Sequence, residues 1–314
     1  MSHGDSPSHF GKGADVLKKA LIVVILIIIG MFAGVYGYAW MNANRVDSRT
    51  SPNNQQAEVQ TPSSSEPQVT VPEIVKPLEI LGESDNLTEA QWTAMQEWRQ
   101  TAQQMAAAHP DSIYLNGSDA KKQVALTFDD GPDEAFTAAV LDVLKQYNVT
   151  GTFFFKANQL TKYPAVAQRA YQEGNQIASH AYSHQELDKM SPADIEKEIV
   201  ASDQAFEQVL GVQPAMIRPP FGAINMDVLQ VCRNSGEIII LWSIDTLDWS
   251  QKEPDHIAKN VLDNVRPGDI ILMHSCKGQE ATVQALPQII VGLQQKGYDL
   301  VDLATLLASP AYKK

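Results

Sequence analysis

The chain has 314 residues, enough for one large domain or two ordinary ones, and a formal charge of −13 at pH 7. That balance argues against a polyanion-binding surface, and so against nucleic acid as a partner. With only Cys232 and Cys276 present, no disulfide framework holds the fold and the compartment cannot be read from cysteine.

Ala20 to Asn44 carry no charge and stay mostly apolar as far as Trp40, a run long enough to span a bilayer. Lys12, Lys18 and Lys19 precede it, and Tyr36, Tyr38 and Trp40 stand where an aromatic belt meets the far interface. The reading is a single transmembrane anchor over 20–41, with 1–19 cytoplasmic and the bulk of the chain extracellular at the cell membrane. A cleaved signal peptide competes, but its apolar core usually runs about 7 to 15 residues and ends at a small-x-small site, which is not clear here. Gly30 and Gly34 match a GxxxG spacing, read as incidental in a glycine-bearing span. Residues 42–78, rich in Asn, Gln, Ser, Pro and Glu, have little to bury and read as a disordered stalk.

In the segment 79–118, Thr88 and Gln91 form a capping-box pattern, and Trp92, Met95, Trp98, Ala102 and Met105 recur at helical spacing before Pro110. One amphipathic helix is expected, with its tryptophans packed on the following domain rather than serving as a sugar-stacking face. From 119 to 308, apolar strands alternate with amphipathic helices, the pattern of a parallel sheet with crossover helices. Strands are expected at 124–128, 152–155, 176–178, 215–217, 238–242, 270–273 and 299–301. Helices are expected at 135–147, 164–173, 192–210, 226–234, 257–265 and 283–296. This is an α/β fold, a distorted (β/α) barrel with about seven parallel strands, because the domain falls short of the roughly 250 residues of a full eightfold barrel.

Polar clusters follow the strands. The first ends in Asp129-Asp130-Gly131-Pro132, where two acids at a chain turn can both lean beyond the strand end. The alternative is a plain turn, with the acid capping its own backbone. After the third strand come His180 and His184, at i and i+4, which a helical turn would bring onto one face as ligands for a borderline metal. Joined to a strand-end carboxylate they make a two-His-one-carboxylate site with open positions that can activate water. Arg218-Pro219-Pro220-Phe221-Gly222, Asp245-Thr246-Leu247-Asp248-Trp249 and Leu272-Met273-His274 follow three further strands. Singly these are a stiff turn, a helix cap and a core histidine. Together they fall on the face where barrel loops build active sites.

This ordered set resembles the NodB-like polysaccharide deacetylases, carbohydrate esterase family 4, over roughly residues 120–308. The resemblance implies a distorted (β/α) barrel and metal-dependent removal of acetyl groups from amino-sugar polymers or acetylated xylan. It makes Asp130, His180 and His184 the ligands of a divalent metal, most often Zn, with Co, Ni or Mn as alternatives. It makes Asp129 the general base and His274 the general acid, with Asp248 orienting His274 and Arg218 positioning Asp129. Phe221 would offer a backbone N–H to the oxyanion, and Trp249 and Leu272 would line the acetyl-methyl pocket. Asp245 is given a structural role. Phe221 replaces a common Tyr, and Ala181 stands where a hydroxyl residue generally follows the first metal histidine, which would loosen the ligand's support. Cys276, two residues after His274, could lie near the site, but is read as a plain buried thiol. The expected substrate is N-acetylglucosamine in peptidoglycan next to the membrane. A chitooligosaccharide deacetylase, an acetylxylan esterase, or a silent glycan-binding scaffold are the alternatives.

Overall fold

The computed structural model describes residues 75–314. The expected anchor and most of the expected stalk lie outside the described residues. Among the described residues no helix is long and apolar enough to cross a membrane.

Among the described residues nine strands form one sheet, β1 (Ile113–Tyr114), β2 (Gln123–Asp129), β3 (Thr152–Phe155), β4 (Gln176–Ser179), β5 (Met216–Ile217), β6 (Ile238–Ile240), β7 (Ile244–Asp245), β8 (Ile270–His274) and β9 (Asp299–Leu300). Eight run in the order β1-β6-β5-β4-β3-β2-β8-β7, and β9 pairs with β2 off this path. The named strands pair in parallel, as the alternation of strands and helices requires. Seven strands were expected. The two extra ones, β1 and β7, are two residues long, too short to show any period.

The helices are α1 (Glu89–Ala108), α2 (Phe136–Gln146), α3 (Ala157–Lys162), α4 (Pro164–Gln172), α5 (Pro192–Leu210), α6 (Met226–Asn234), α7 (Pro254–Leu262), α8 (Glu280–Gln295) and α9 (Leu303–Leu307). Capping explains the sharp starts. Thr88 and Gln91 complete the capping box of α1, Ser191 caps α5, and Asn225 caps α6. α7 begins three residues before the expected position because Pro254 fits the first turn, where its missing N–H costs nothing. The short α3 and α9 were not foreseen.

Strand alternation divides the core in two. Val124, Leu126 and Phe128, with Phe153, Phe155, Ile271 and Met273, face one cluster that includes residues of α2 and α8. Ala125, Phe154, Ala178, Ile270 and Leu272 face the other, inside the curved sheet. The period of two then carries Asp129, His180 and His274 onto that inner side at the ends of β2, β4 and β8.

The seam of the sheet lies between β1 and β7. Leu81 pairs in parallel with Ile244 of β7, its N–H reaching Ser243 O at 2.9 Å and its carbonyl accepting from Asp245 N at 2.8 Å. The chain then runs through α1 to β1, so α1 connects the two edges. Upstream, Asn116 holds Lys76 and Leu78 by side-chain hydrogen bonds of 3.3 and 2.8 Å.

At the other end of the chain, Ala311 and Lys313 bond back to Ala215 and Gln213. Lys313 Nζ lies 2.7 Å from Asp203 and 3.3 Å from the buried Glu237. Burial pushes the Glu237 carboxyl up to about 8: Lys313 opposes this, but its ammonium is shared with Asp203, whose charge adds to the rise. Between the ordinary carboxyl range and about pH 8 the folded chain therefore holds a proton that the unfolded chain releases. Stabilisation from this site is complete at low pH and is lost as pH rises to about 8. Thermal melts between pH 5 and 8 are expected to show a smaller fall in Tm for Glu237→Gln than for the unaltered protein. Parallel Tm curves would refute this account.

Candidate active site

β2 and β8 end level, with Asp129 the register partner of His274. Asp245 at the end of β7 faces Leu272, and Ser179 at the end of β4 faces Ile217, so the next residues, His180 and Arg218, leave the sheet side by side. Parallel pairing thus delivers all five motifs to one end.

After Asp129 the alternation breaks, because Asp130 has φ +73°. Both carboxylates consequently approach the same ring: His180 Nε2 is 4.0 Å from Asp129 Oδ2 and 3.8 Å from Asp130 Oδ1. His184 Nε2 lies 3.0 Å from Asp130 Oδ1. The two histidines do not share a helical turn, as their spacing suggested. They sit on an irregular loop with Ala181 at φ +58° and His184 at φ +65°, their rings edge-on at 5.0 Å. That loop is held by Glu198 of α5, which accepts from Tyr182 N and Ser183 N at 3.2 and 2.8 Å and from Ser183 Oγ at 2.8 Å. Ala181 lacks a hydroxyl but is wholly buried, and the order of the loop comes from Glu198 instead.

Donor atoms of Asp130, His180 and His184 lie within 4.8 Å of one another. Asp130 Oδ1 is buried with no aligned hydrogen-bond donor, although both imidazoles and, at 3.2 Å, Lys156 Nζ stand near it. Burial pushes the His180 ring down to about 4, against the nearby carboxylates, so it is neutral. Its Nδ1 lies 2.6 Å from the Arg218 carbonyl, which fixes the proton there and leaves the Nε2 lone pair facing the acids. For Asp130, burial alone would favour the neutral acid, but His184, His180 and His274 hold the carboxyl well below its usual range. An ionised carboxylate and a neutral imidazole, converging with a second ring on one point, fit a divalent cation.

Arg218 is fully buried. Its Nη1 donates to Asp129 Oδ1 at 2.7 Å and Thr127 Oγ1 at 3.0 Å, and Nη2 and Nε donate to Leu241 O and Ile240 O. Across the cleft, Asp248 Oδ1 is 2.7 Å from His274 Nδ1, while Oδ2 accepts from His274 N and Thr282 Oγ1 at 2.8 and 2.7 Å. Burial works against a charged His274, but Asp248, then Asp130 and Asp129, outweigh it and raise the ring to about 10. His274 is therefore an imidazolium at neutral pH, with Nδ1 committed to Asp248 and Nε2 free for the cleft.

The cleft measures about 550 Å³ and is lined by Asp129, Asp130, the three histidines, Phe221, Trp242, Trp249 and Leu272, together with Met95 and Trp98 of α1. Phe221 sits at φ +61° and is 62 % exposed. Asp245 is buried and accepts from Leu247 N at 2.9 Å, shaping the turn into Asp248, and burial pushes its carboxyl up to about 6. Cys276 is half-buried and lies beside the site, the alternative to a plain core thiol. Its Sγ is 3.8 Å from Asp130 Oδ2, and burial, then Asp130, pushes the thiol up to about 12, so it is no nucleophile.

Several residues escaped the sequence reading. Lys156, whose Nζ lies 3.2 Å from Asp130 Oδ1, follows the buried strand β3 directly, and a lone cation at a strand end was the available signal. Glu198 lies inside α5 and Thr282 in the first turn of α8, neither with a local mark. Trp98 and Met95 were assigned to packing, and they also line the cleft.

A family model described as polysaccharide deacetylase matches residues 116–237. A peptidoglycan-N-acetylglucosamine deacetylase of Bacillus cereus is 39 % identical over 196 residues, 62 % of this chain and 71 % of that protein. A peptidoglycan-N-acetylglucosamine deacetylase of Listeria monocytogenes is 36 % identical over 185 residues, but this match spans only 39 % of its length. The crystal structure of the Bc1960 peptidoglycan N-acetylglucosamine deacetylase, bound to a naphthalenyl benzamide, superposes with a TM-score of 0.64 at 36 % identity, covering 66 % of this chain and 98 % of that one. With the fold, the ordered motifs and these relatives in agreement, the chain belongs to the NodB-like polysaccharide deacetylase family and is an amide-hydrolysing deacetylase.

Proposed function

We propose that this deacetylase removes acetyl groups from N-acetylglucosamine in peptidoglycan, using a divalent cation held by Asp130, His180 and His184, while anchored at the outer face of the cell membrane by residues 20–41. The observation that carries the chemistry is the convergence of those three donors in one cleft with Asp129 on one side and His274 on the other. Two imidazoles and a carboxylate suit Zn well, and Co, Ni or Mn would also be accepted. Bound there, the cation supplies Lewis acidity to the acetamide carbonyl and makes a water acidic enough to attack near neutral pH.

The protein's own groups do the rest. Asp129, held by Arg218, accepts a proton from the attacking water. The Phe221 N–H faces the oxyanion, a contact typically worth about 3 kcal/mol. As the C–N bond breaks, His274 Nε2 gives its proton to the departing amine, and Asp248 stabilises the imidazolium until then. Trp249 and Leu272 receive the acetyl methyl. The substrate assignment draws on the named activity of the relatives and on the uncharged run 20–44, which would keep the site near wall glycan at high effective concentration.

Acetate release from purified peptidoglycan, chitin oligomers and acetylxylan tests the substrate: peptidoglycan is expected to be preferred, and chelator to abolish release. Activity on xylan or chitin alone would overturn the assignment. Asp130→Ala, His180→Ala and His184→Ala are expected to lose bound metal and activity together. Asp129→Asn should keep the metal and lose about 10²- to 10⁴-fold in kcat. Metal loss from Asp129→Asn with retention by the Asp130 variant would exchange the two roles.

The His274 pair predicts a pH effect. Its raised value keeps the acid protonated up to about pH 10, so removing the Asp248 charge lowers the pH at which the acid is lost. Asp248→Asn should shift the alkaline limb of kcat/KM downward by at least about one unit. An unmoved limb would show that another group donates the proton.

A further inference from the structure

Helix α1 precedes the span matched by the family model, yet it forms part of the cleft wall. Trp98 Nε1 donates to Gly222 O at 2.9 Å, and its ring stacks on Trp242 with centroids 4.8 Å apart and planes 25° from parallel. Gly222 is the residue after Phe221, and both are in the left-handed region, at φ +64° and +61°. A Cβ on Gly222 would lie 2.4 Å from Trp98 Cζ2 and 3.0 Å from Trp242, so loop and indole are fitted to each other without room for a methyl.

We propose that Trp98 is a positioning residue for deacetylation: it clamps the 218–222 loop so that the Phe221 backbone N–H faces the reacting carbonyl. This rests on the assignment of that N–H to the oxyanion.

The argument turns on strain. Two consecutive left-handed residues, one of them a bulky phenylalanine, are conformationally costly and persist only where surroundings hold them. Inside the loop, Gly222 N bonds Pro219 O and Ala223 N bonds Pro220 O, which closes the turn but does not fix its direction. The Phe221 side chain is largely exposed and meets the site at the His184 ring, edge-on at 4.7 Å, a contact that steadies the ring and leaves the Gly222 carbonyl unheld. Trp98 supplies a hold from outside the loop: a directed donor on the Gly222 carbonyl and a flat surface against Gly222 itself. Its other face of contact, Trp242, stands between β6 and β7 and is buried, so the clamp is referred to the rigid sheet. A helix needed only for packing would be served by any apolar side chain here. The indole N–H aimed at a catalytic-loop carbonyl is what sets Trp98 apart.

The test compares full-length Trp98→Phe, which keeps an aromatic ring and loses the donor, with Trp98→Ala, which loses both. Steady-state kinetics on a small chromogenic acetyl ester and on soluble N-acetylglucosamine oligomers are measured alongside Tm and bound metal. Trp98→Phe is expected to lower kcat about five- to tenfold, the loss of one hydrogen bond, with KM within about twofold and metal content unchanged. Trp98→Ala should lose about 100-fold. Unchanged kcat in folded, metal-replete Trp98→Phe, or a loss confined to KM, would overturn the proposal. If Trp98→Ala does not fold, the Phe variant decides. Ester hydrolysis without action on peptidoglycan would remove the substrate assignment above while leaving this comparison intact.

Discussion

A single buried guanidinium ties the proposed base and a proposed metal ligand to the core beneath the sheet's end. Arg218 bonds Asp129, Thr127 and the carbonyls of Ile240 and Leu241, and lies 4.0 Å over the Phe154 ring. Its own carbonyl meets His180 Nδ1 at 2.6 Å. One residue therefore orients the proposed base through its side chain and a proposed metal ligand through its backbone. A charge so deep is tolerable only because its donors are used and a carboxylate faces it, and removing one partner of such a pair typically costs about 3 to 5 kcal/mol. Site and core cannot be separated energetically at this point.

Around that anchor the backbone is bent at the motif loops. Seven described non-glycine residues have positive φ, and five of them, Asp130, Ala181, His184, Phe221 and Leu247, belong to the motif loops. Strained backbone of this kind survives where its surroundings over-determine it. Here the surroundings are Arg218, the carboxylate of Glu198 under the histidine loop, and the Asp245 carboxylate that accepts from Leu247 N. The acidic composition of the chain is thus spent partly inside, on fixing loops.

Much of this was readable in the sequence because it is local. A strand such as Val124–Phe128 announces itself by its apolar run, and the polar residues that follow it must emerge at its end. Five such endings in family order bring Asp129, Asp130, His180, His184, Arg218, Asp248 and His274 to one end of a parallel sheet. What escaped depends on contacts across the fold. β1 and β7 are strands only because β6 and β8 lie beside them. The i and i+4 histidines suggested a helix, but the loop takes its shape from Glu198, a residue with nothing in its own neighbourhood to mark it. Trp98 had the helical spacing of a packing residue, and spacing does not reveal which carbonyl an indole N–H will meet.

The register of β2 on β8 has a consequence for how such enzymes diversify. Asp129 and His274, the proposed proton acceptor and donor, are direct neighbours on one parallel ladder. Their separation is governed by the lattice spacing of a β-sheet, about 4.8 Å between strands, and not by any loop. Of the other residues lining the cleft, Phe221 and Trp249 lie on connections beyond the strand ends, and Met95 and Trp98 on α1. Sequence drift in those connections can change which polymer fits while the proton-transfer distances stay fixed by the backbone. A scaffold of this kind lets substrate range evolve as a surface property.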